Sequence, residues 1–199
     1  MYRHVYSLII VILAGTLLVA CGSADKGPAE AALKAAEEAI NAAKAEVSKY
    51  MPDEAKSLDA GLAAAREKFN SGDFKAALSE AQALTAKAKD MASAATAKKT
   101  ELSKTWQEMS AGMPKVVDAI KSRVDILSQA KKLPAGMTAE KLAEAKNGLA
   151  EITKEWTEAT AASSGGNLMD AVAKATAVKK KAAEVLTALN MPVPEALKS

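Results

Sequence analysis

Downstream of Pro28 the apolar and alanine positions fall at Leu33, Ala36, Ile40, Ala43, Val47 and Tyr50. This alternation of three and four places them on one stripe of an amphipathic helix. Pro52 stops that helix, and Asp53 is placed to cap a second one striped by Leu58, Leu62, Ala65 and Phe69. Asn70-Ser71-Gly72 ends the second helix, and a third starts at Asp73. Its seam runs through Phe74, Leu78, Ala81, Thr85, Ala88, Ala92, Ala95, Lys99, Leu102, Trp106 and Met109. Gly112-Met113-Pro114 is expected to close that helix and open a fourth, because proline is tolerated at a first helical position.

The fourth stripe is Val117, Ile120, Val124 and Leu127, ended by Leu133-Pro134-Ala135-Gly136. Thr138 is placed to cap a fifth helix carrying Leu142, Ala145, Leu149, Ile152, Trp156 and Ala159. After the loop Ser163-Ser164-Gly165-Gly166, Asn167 caps a sixth, striped by Leu168, Ala171, Ala175, Val178, Ala182, Val185 and Leu189. Pro192 and Pro194 then end regular structure. The expected fold is all-α, an elongated alanine-rich bundle of about six helices. Its organisation reads as helical unit 1 over 28–110, helical unit 2 over 114–190 and a tail over 191–199.

A weak internal repeat suggests two three-helix units. Gly61-Leu62-Ala63 and Phe69 recur 87 residues on as Gly148-Leu149-Ala150 and Trp156. Gly72-Asp73-Phe74, Ala77, Leu78, Ala81 and Lys87 recur 94 residues on as Gly166-Asn167-Leu168, Ala171, Val172, Ala175 and Lys181. Self-similarity at a fixed period is the mark of repeated supersecondary units.

Composition sharpens this picture. Of 199 residues 46 are alanine and only 4% are aromatic, which argues against sandwiches and barrels built from β-branched and aromatic strands. Alanine suits helices, yet each buried methyl removes far less apolar area than a leucine. High helicity over a thin core is expected, and with it association with a partner or with a second copy.

The first twenty residues differ from the rest. Arg3 and His4 precede an apolar run from Val5 to Leu13, a small break at Gly15-Thr16, and then Leu18-Val19-Ala20-Cys21. This is the layout of a secretory signal peptide over 1–20. Its end resembles the lipobox of bacterial lipoproteins. The resemblance implies cleavage between Ala20 and Cys21, a diacylglycerol on the Cys21 thiol and often a further acyl chain such as palmitate on its amine. It also implies an outer-membrane position facing the periplasm, since Gly22 and Ser23 rather than aspartate follow the cysteine. Residues 21–27 would then be a small, polar, lipidated tether.

Ala65, Arg66, Gly72, Asp73, Ala77 and Ala81 carry a second likeness. This stretch resembles a tetratricopeptide-type hairpin, and more closely the alanine-rich helical-hairpin domain of unknown function found in envelope lipoproteins. No 34-residue period and no early proline stop accompany it.

Candidate chemistry is sparse. His4 and Cys21 are the single histidine and cysteine, so a chain starting at Cys21 holds no nucleophile-histidine system and no histidine or cysteine metal site. The expectation is therefore no catalytic residue, no cofactor and no metal. Glu37-Glu38 and Asp53-Glu54 are neighbours along a helix and point about 100 degrees apart, unlike a catalytic carboxylate pair. Lys98-Lys99 and Lys179-Lys180-Lys181 could touch phosphate or anionic lipid, but loss of Arg3 leaves 26 basic residues against 24 acidic ones, interleaved throughout. No nucleic-acid partner is expected.

Trp106 and Trp156 lie on seams and read as packed aromatics. Lys198 invites comparison with the peptidoglycan-linked lipoprotein, but Ser199 follows it, which argues against the same covalent link. The reading that results is a non-enzymatic, lipid-anchored envelope protein with a structural or protein-interaction role. A carrier of a lipid or other apolar ligand is the alternative, and a carboxylate-based hydrolase is the remote one.

Overall fold

A computed structural model describes residues 24–198. The signal segment, Cys21 and Ser199 lie outside the described residues. Every regular element described is helical: α1 (Lys26–Tyr50), α2 (Pro52–Asn70), α3 (Phe74–Gln129), α4 (Ala139–Ser164), α5 (Leu168–Ala188) and a 3-10 turn (Glu195–Leu197). Contacts divide the chain into two compact units between Lys98 and Lys99, a point inside α3.

In the first unit α1 and α2 are joined by Met51 alone. Its backbone (φ −145°, ψ 63°) leaves the helical region, which a following proline disfavours, and its N–H donates to the Val47 carbonyl at 2.7 Å. Pro52 is the first helical residue, so Asp53 does not cap α2 as expected; it sits inside the first turn and pairs with Lys56 at 3.3 Å. The ion pairs Arg66–Glu37 (2.8 Å) and Lys44–Asp59 (3.3 Å) tie the two helices side by side. α1 also begins earlier than the tether reading allowed: Lys26 and Gly27 already belong to its first turn. Pro28 is accommodated there because first-turn N–H groups have no intrahelical partner.

The expected α1 seam is buried, as Ala36, Ile40, Ala43, Val47 and Tyr50. Opposite them are Leu58 and Ala65 of α2, and Ala77, Ala81, Leu84, Ala88 and Ala95 of α3. Alanine dominates this core, and Leu58, at 1% exposure, is one of its few large members.

The second unit holds the larger side chains. Ile120, Val124 and Leu127 of α3 pack with Leu142 and Ile152 of α4, with Val178 and Val185 of α5 and with Leu189 just after it in one cluster. Thr138 caps α4 by accepting from the Lys141 N–H (3.2 Å), and Asn167 caps α5 by accepting from the Asp170 N–H (3.2 Å). Both caps are as the sequence predicts.

The break expected at Gly112-Met113-Pro114 does not occur, so five α-helices rather than six form among the described residues. Pro114 lies inside α3. An interior proline removes one hydrogen bond and crowds the preceding turn, yet Met113 is 3% exposed and joins the core cluster. It carries the apolar seam without a change of phase from Met109 to Val117 and Ile120. Burial on that seam holds the backbone helical on both sides of the proline.

The α2–α3 and α4–α5 turns are alike in detail. In the first, the N–H groups of Ser71, Gly72 and Asp73 donate to the carbonyls of Glu67, Phe69 and Lys68. In the second, those of Gly165, Gly166 and Asn167 donate to Ala161, Ser163 and Ala162, each pair displaced by 94 residues. Gly72 (φ +86°) and Gly166 (φ +77°) supply the left-handed residue this helix-ending motif requires. Asp73 and Asn167 then cap the following helices through the Ala76 and Asp170 N–H groups. Across the hairpins, Lys87 reaches Ser57 and Lys181 reaches Glu151, each at 2.8 Å.

Two further glycines let the paired helices approach. A Cβ on Gly61 would lie 2.7 Å from Leu84 Cδ2, and one on Gly148 would lie 2.5 Å from Val185 Cγ2. Leu84 ends in a flexible isobutyl group that can turn away, whereas Val185 is β-branched and stiff. Gly148→Ala is therefore expected to destabilise by about 1–2 kcal/mol, overpacking outweighing the roughly 1 kcal/mol gained in helix propensity. Gly61→Ala should be neutral or mildly stabilising. Urea unfolding midpoints of the two variants check this contrast.

Candidate functional site

The lipidation and cleavage residues, Cys21 and Ala20, lie outside the described residues. The other candidates are placed. Glu37 accepts from Arg66 at 2.8 Å, and Asp53 pairs with Lys56. Their neighbours Glu38 and Glu54 do not join them in a carboxylate cluster, and among the described residues no three His, Cys, Asp or Glu side chains group as metal ligands would.

Along the face between α4 and α5 runs a short ladder of ion pairs. Lys174 Nζ lies 2.8 Å from Glu158 Oε2, and Lys181 Nζ lies 2.8 Å from Glu151 Oε2. The hydrogen bond and charge of Lys174 hold the Glu158 carboxyl below its ordinary value, and the Lys174 ammonium is raised in turn. Glu151 raises Lys181 in the same way. Glu140 is lowered chiefly by its own N–H at the start of α4, with help from the Thr138 hydroxyl.

A depressed carboxyl contributes stability above its unfolded-state value that is lost as pH falls through the folded one. A raised lysine contributes below its unfolded value and loses that contribution in alkali as pH rises through the folded one. Neutral pH is thus a plateau for the Glu158–Lys174 pair. Glu158→Gln should flatten the acid limb of a stability profile taken at low salt and leave little difference in high salt, since the pair is exposed enough to be screened. Denaturant midpoints between pH 3 and pH 7 test it.

Trp106 of α3 and Trp156 of α4 are half-buried and stack on each other, ring centres 5.5 Å apart at 19°. The seams foretold burial for both; their mutual contact needed the α3–α4 register, which periodicity on single helices does not contain.

The feature missed altogether is a cleft of about 490 Å³ in the second unit, open to solvent on one side. One wall is α3 from Thr105 to Val116, with Met109, Gly112 and Met113 facing in; another is the segment Pro194, Ala196 and Leu197; Lys179 of α5 reaches its edge. The segment after α5 is not the plain tail expected. Asn190 takes the left-handed conformation (φ +51°) that ends α5, and Met191, Val193 and Leu197 return to the core. Leu197 is 8% exposed, and Lys198 pairs with Glu195 across the 3-10 turn. Val193 and Leu197, four apart with Pro194 between, were the available signal. The surplus of apolar lining over polar, with one cation and the Glu108 carboxylate at hand, is the make-up of a small-molecule pocket.

No protein-family model, no curated protein and no solved structure matches this chain.

Proposed function

We propose that this protein is a non-enzymatic, lipid-anchored helical component of a bacterial envelope, held by acyl chains on Cys21 and acting as a structural or protein-interaction element. The observation that carries the reading is Leu18-Val19-Ala20-Cys21 at the end of a basic-then-apolar leader. In this reading the lipid sits at the start of the mature chain, and Gly22 and Ser23 after it favour helices that face the periplasm from the outer membrane. None of the described helices is long and apolar enough to cross a membrane, so anchoring in this reading falls to the lipid. Two or three acyl chains suffice for stable attachment, whereas one alone binds reversibly.

The alanine-dominated core of the first unit supports the interaction role, because a thin core gains from further burial against a partner or a second copy. The shared turn geometry 94 residues apart supports the view that the two units arose by duplication. In-cell cross-linking of the intact lipoprotein, read by mass spectrometry, tests the role. A single dominant envelope partner or a self-cross-linked oligomer is the expected result; no cross-link above background would refute it.

A second reading, a carrier of an apolar ligand, is favoured by the methionine-lined cleft of the second unit.

A further inference from the structure

The second unit's cleft has three properties that together specify a ligand class. Its floor is aliphatic and thioether, from Met109, Met113, Val116 and Leu197, with neither tryptophan among its lining. Methionine is unbranched and adaptable, so such a floor conforms to a flexible alkyl chain better than to a rigid ring. Gly112 belongs to this wall, and a Cβ built there meets nothing within 4 Å, so the backbone itself borders empty space.

The polar lining is confined to Thr105, Glu108 and Lys179. Lys179 is half-buried, already engaged within the chain, and opens the run Lys179-Lys180-Lys181; its ammonium has three donors, so it can take a further acceptor, and the Glu108 side chain beside it is exposed. The half-buried cation at an apolar cleft is charge-complementary to an anionic head. About 490 Å³ also falls within the roughly 300–1,000 Å³ usual for small-molecule sites.

From this geometry we infer that the cleft binds a free long-chain carboxylate, its alkyl chain along Met109, Gly112 and Met113 and its carboxylate accepting from the Lys179 ammonium. This rests on the carrier reading and gives that reading a site and a ligand. The C-terminal segment is part of the site: Leu197 is anchored in the core while Pro194 and Ala196 form the wall opposite α3.

The test uses the full-length protein in its own membranes and hexadecanoic acid carrying a terminal diazirine, with labelled peptides identified by mass spectrometry. Saturable labelling on peptides containing Met109 to Val116 or Pro194 to Leu197 is expected, competed by unlabelled hexadecanoate. Gly112→Leu projects a side chain into the cleft from a Cβ position that meets nothing within 4 Å, and should abolish that labelling while circular dichroism stays unchanged. Lys179→Gln should weaken hexadecanoate labelling about tenfold and leave labelling by the matching alcohol unaltered. Equal labelling of acid and alcohol in both wild type and Lys179→Gln would overturn the carboxylate assignment. Saturable labelling at one other place, indifferent to Gly112→Leu, would overturn the cleft but keep a carrier. Uniform, non-saturable labelling would overturn both.

Discussion

Pro114→Ala is expected to raise stability by about 2–3 kcal/mol, an unusual direction for a single substitution. Pro114 is exposed and lies inside α3, so its ring contributes no core contact that alanine would forfeit. Alanine restores a backbone N–H to the helix ladder and removes the clash with the preceding turn. Part of the gain is returned because the unfolded chain becomes more flexible. Equilibrium urea unfolding reports it as a higher midpoint at unchanged slope. A lower midpoint would mean that the residues around Met113 do not hold a continuous helix, and that the break read from Gly112-Met113-Pro114 is the state in solution.

Leu58→Ala is expected to destabilise by about 2–5 kcal/mol. Leu58 is 1% exposed in a unit whose buried residues are mostly alanine, and alanines have no side-chain length with which to collapse into the space left behind. Set against the roughly 5–15 kcal/mol of a whole domain, that loss is a large share of what holds the first unit together. Hydrogen exchange resolves it: amides of α1 and α2 should lose protection. A change under about 1 kcal/mol would show that this unit is not held by the packing described.

The seams were legible because three-four periodicity reports directly on which face a helix buries. Ile40, Val47, Ile120, Ile152, Val178 and Leu189 are all buried as their spacing implies. The caps at Thr138 and Asn167 were legible for a similar reason, since each is a local contest between one side chain and one backbone N–H. Asp53 failed as a cap because Pro52, one residue earlier, makes a better first helical position than a stop.

The α3 continuity was obscured by weighting glycine and proline above phase. Met109, Met113, Val117 and Ile120 keep one register straight through the supposed break, and burial of Met113 tips the balance. The cleft was least legible. It depends on the segment from Met191 to Leu197 folding back, which only the single spacing of Val193 and Leu197 announces, and on the space beside Gly112, which only tertiary packing defines. The Trp106–Trp156 stack likewise arises from the register between two helices.

The anchor is the claim on which the functional reading depends, and metabolic labelling with an alkyne-bearing palmitate tests it most directly. Wild-type protein should carry label, run at its cleaved size and fractionate with membranes. Cys21→Ser should carry none and remain at precursor size. A Cys21→Ser protein that is cleaved normally and still retained in the membrane would contradict the account.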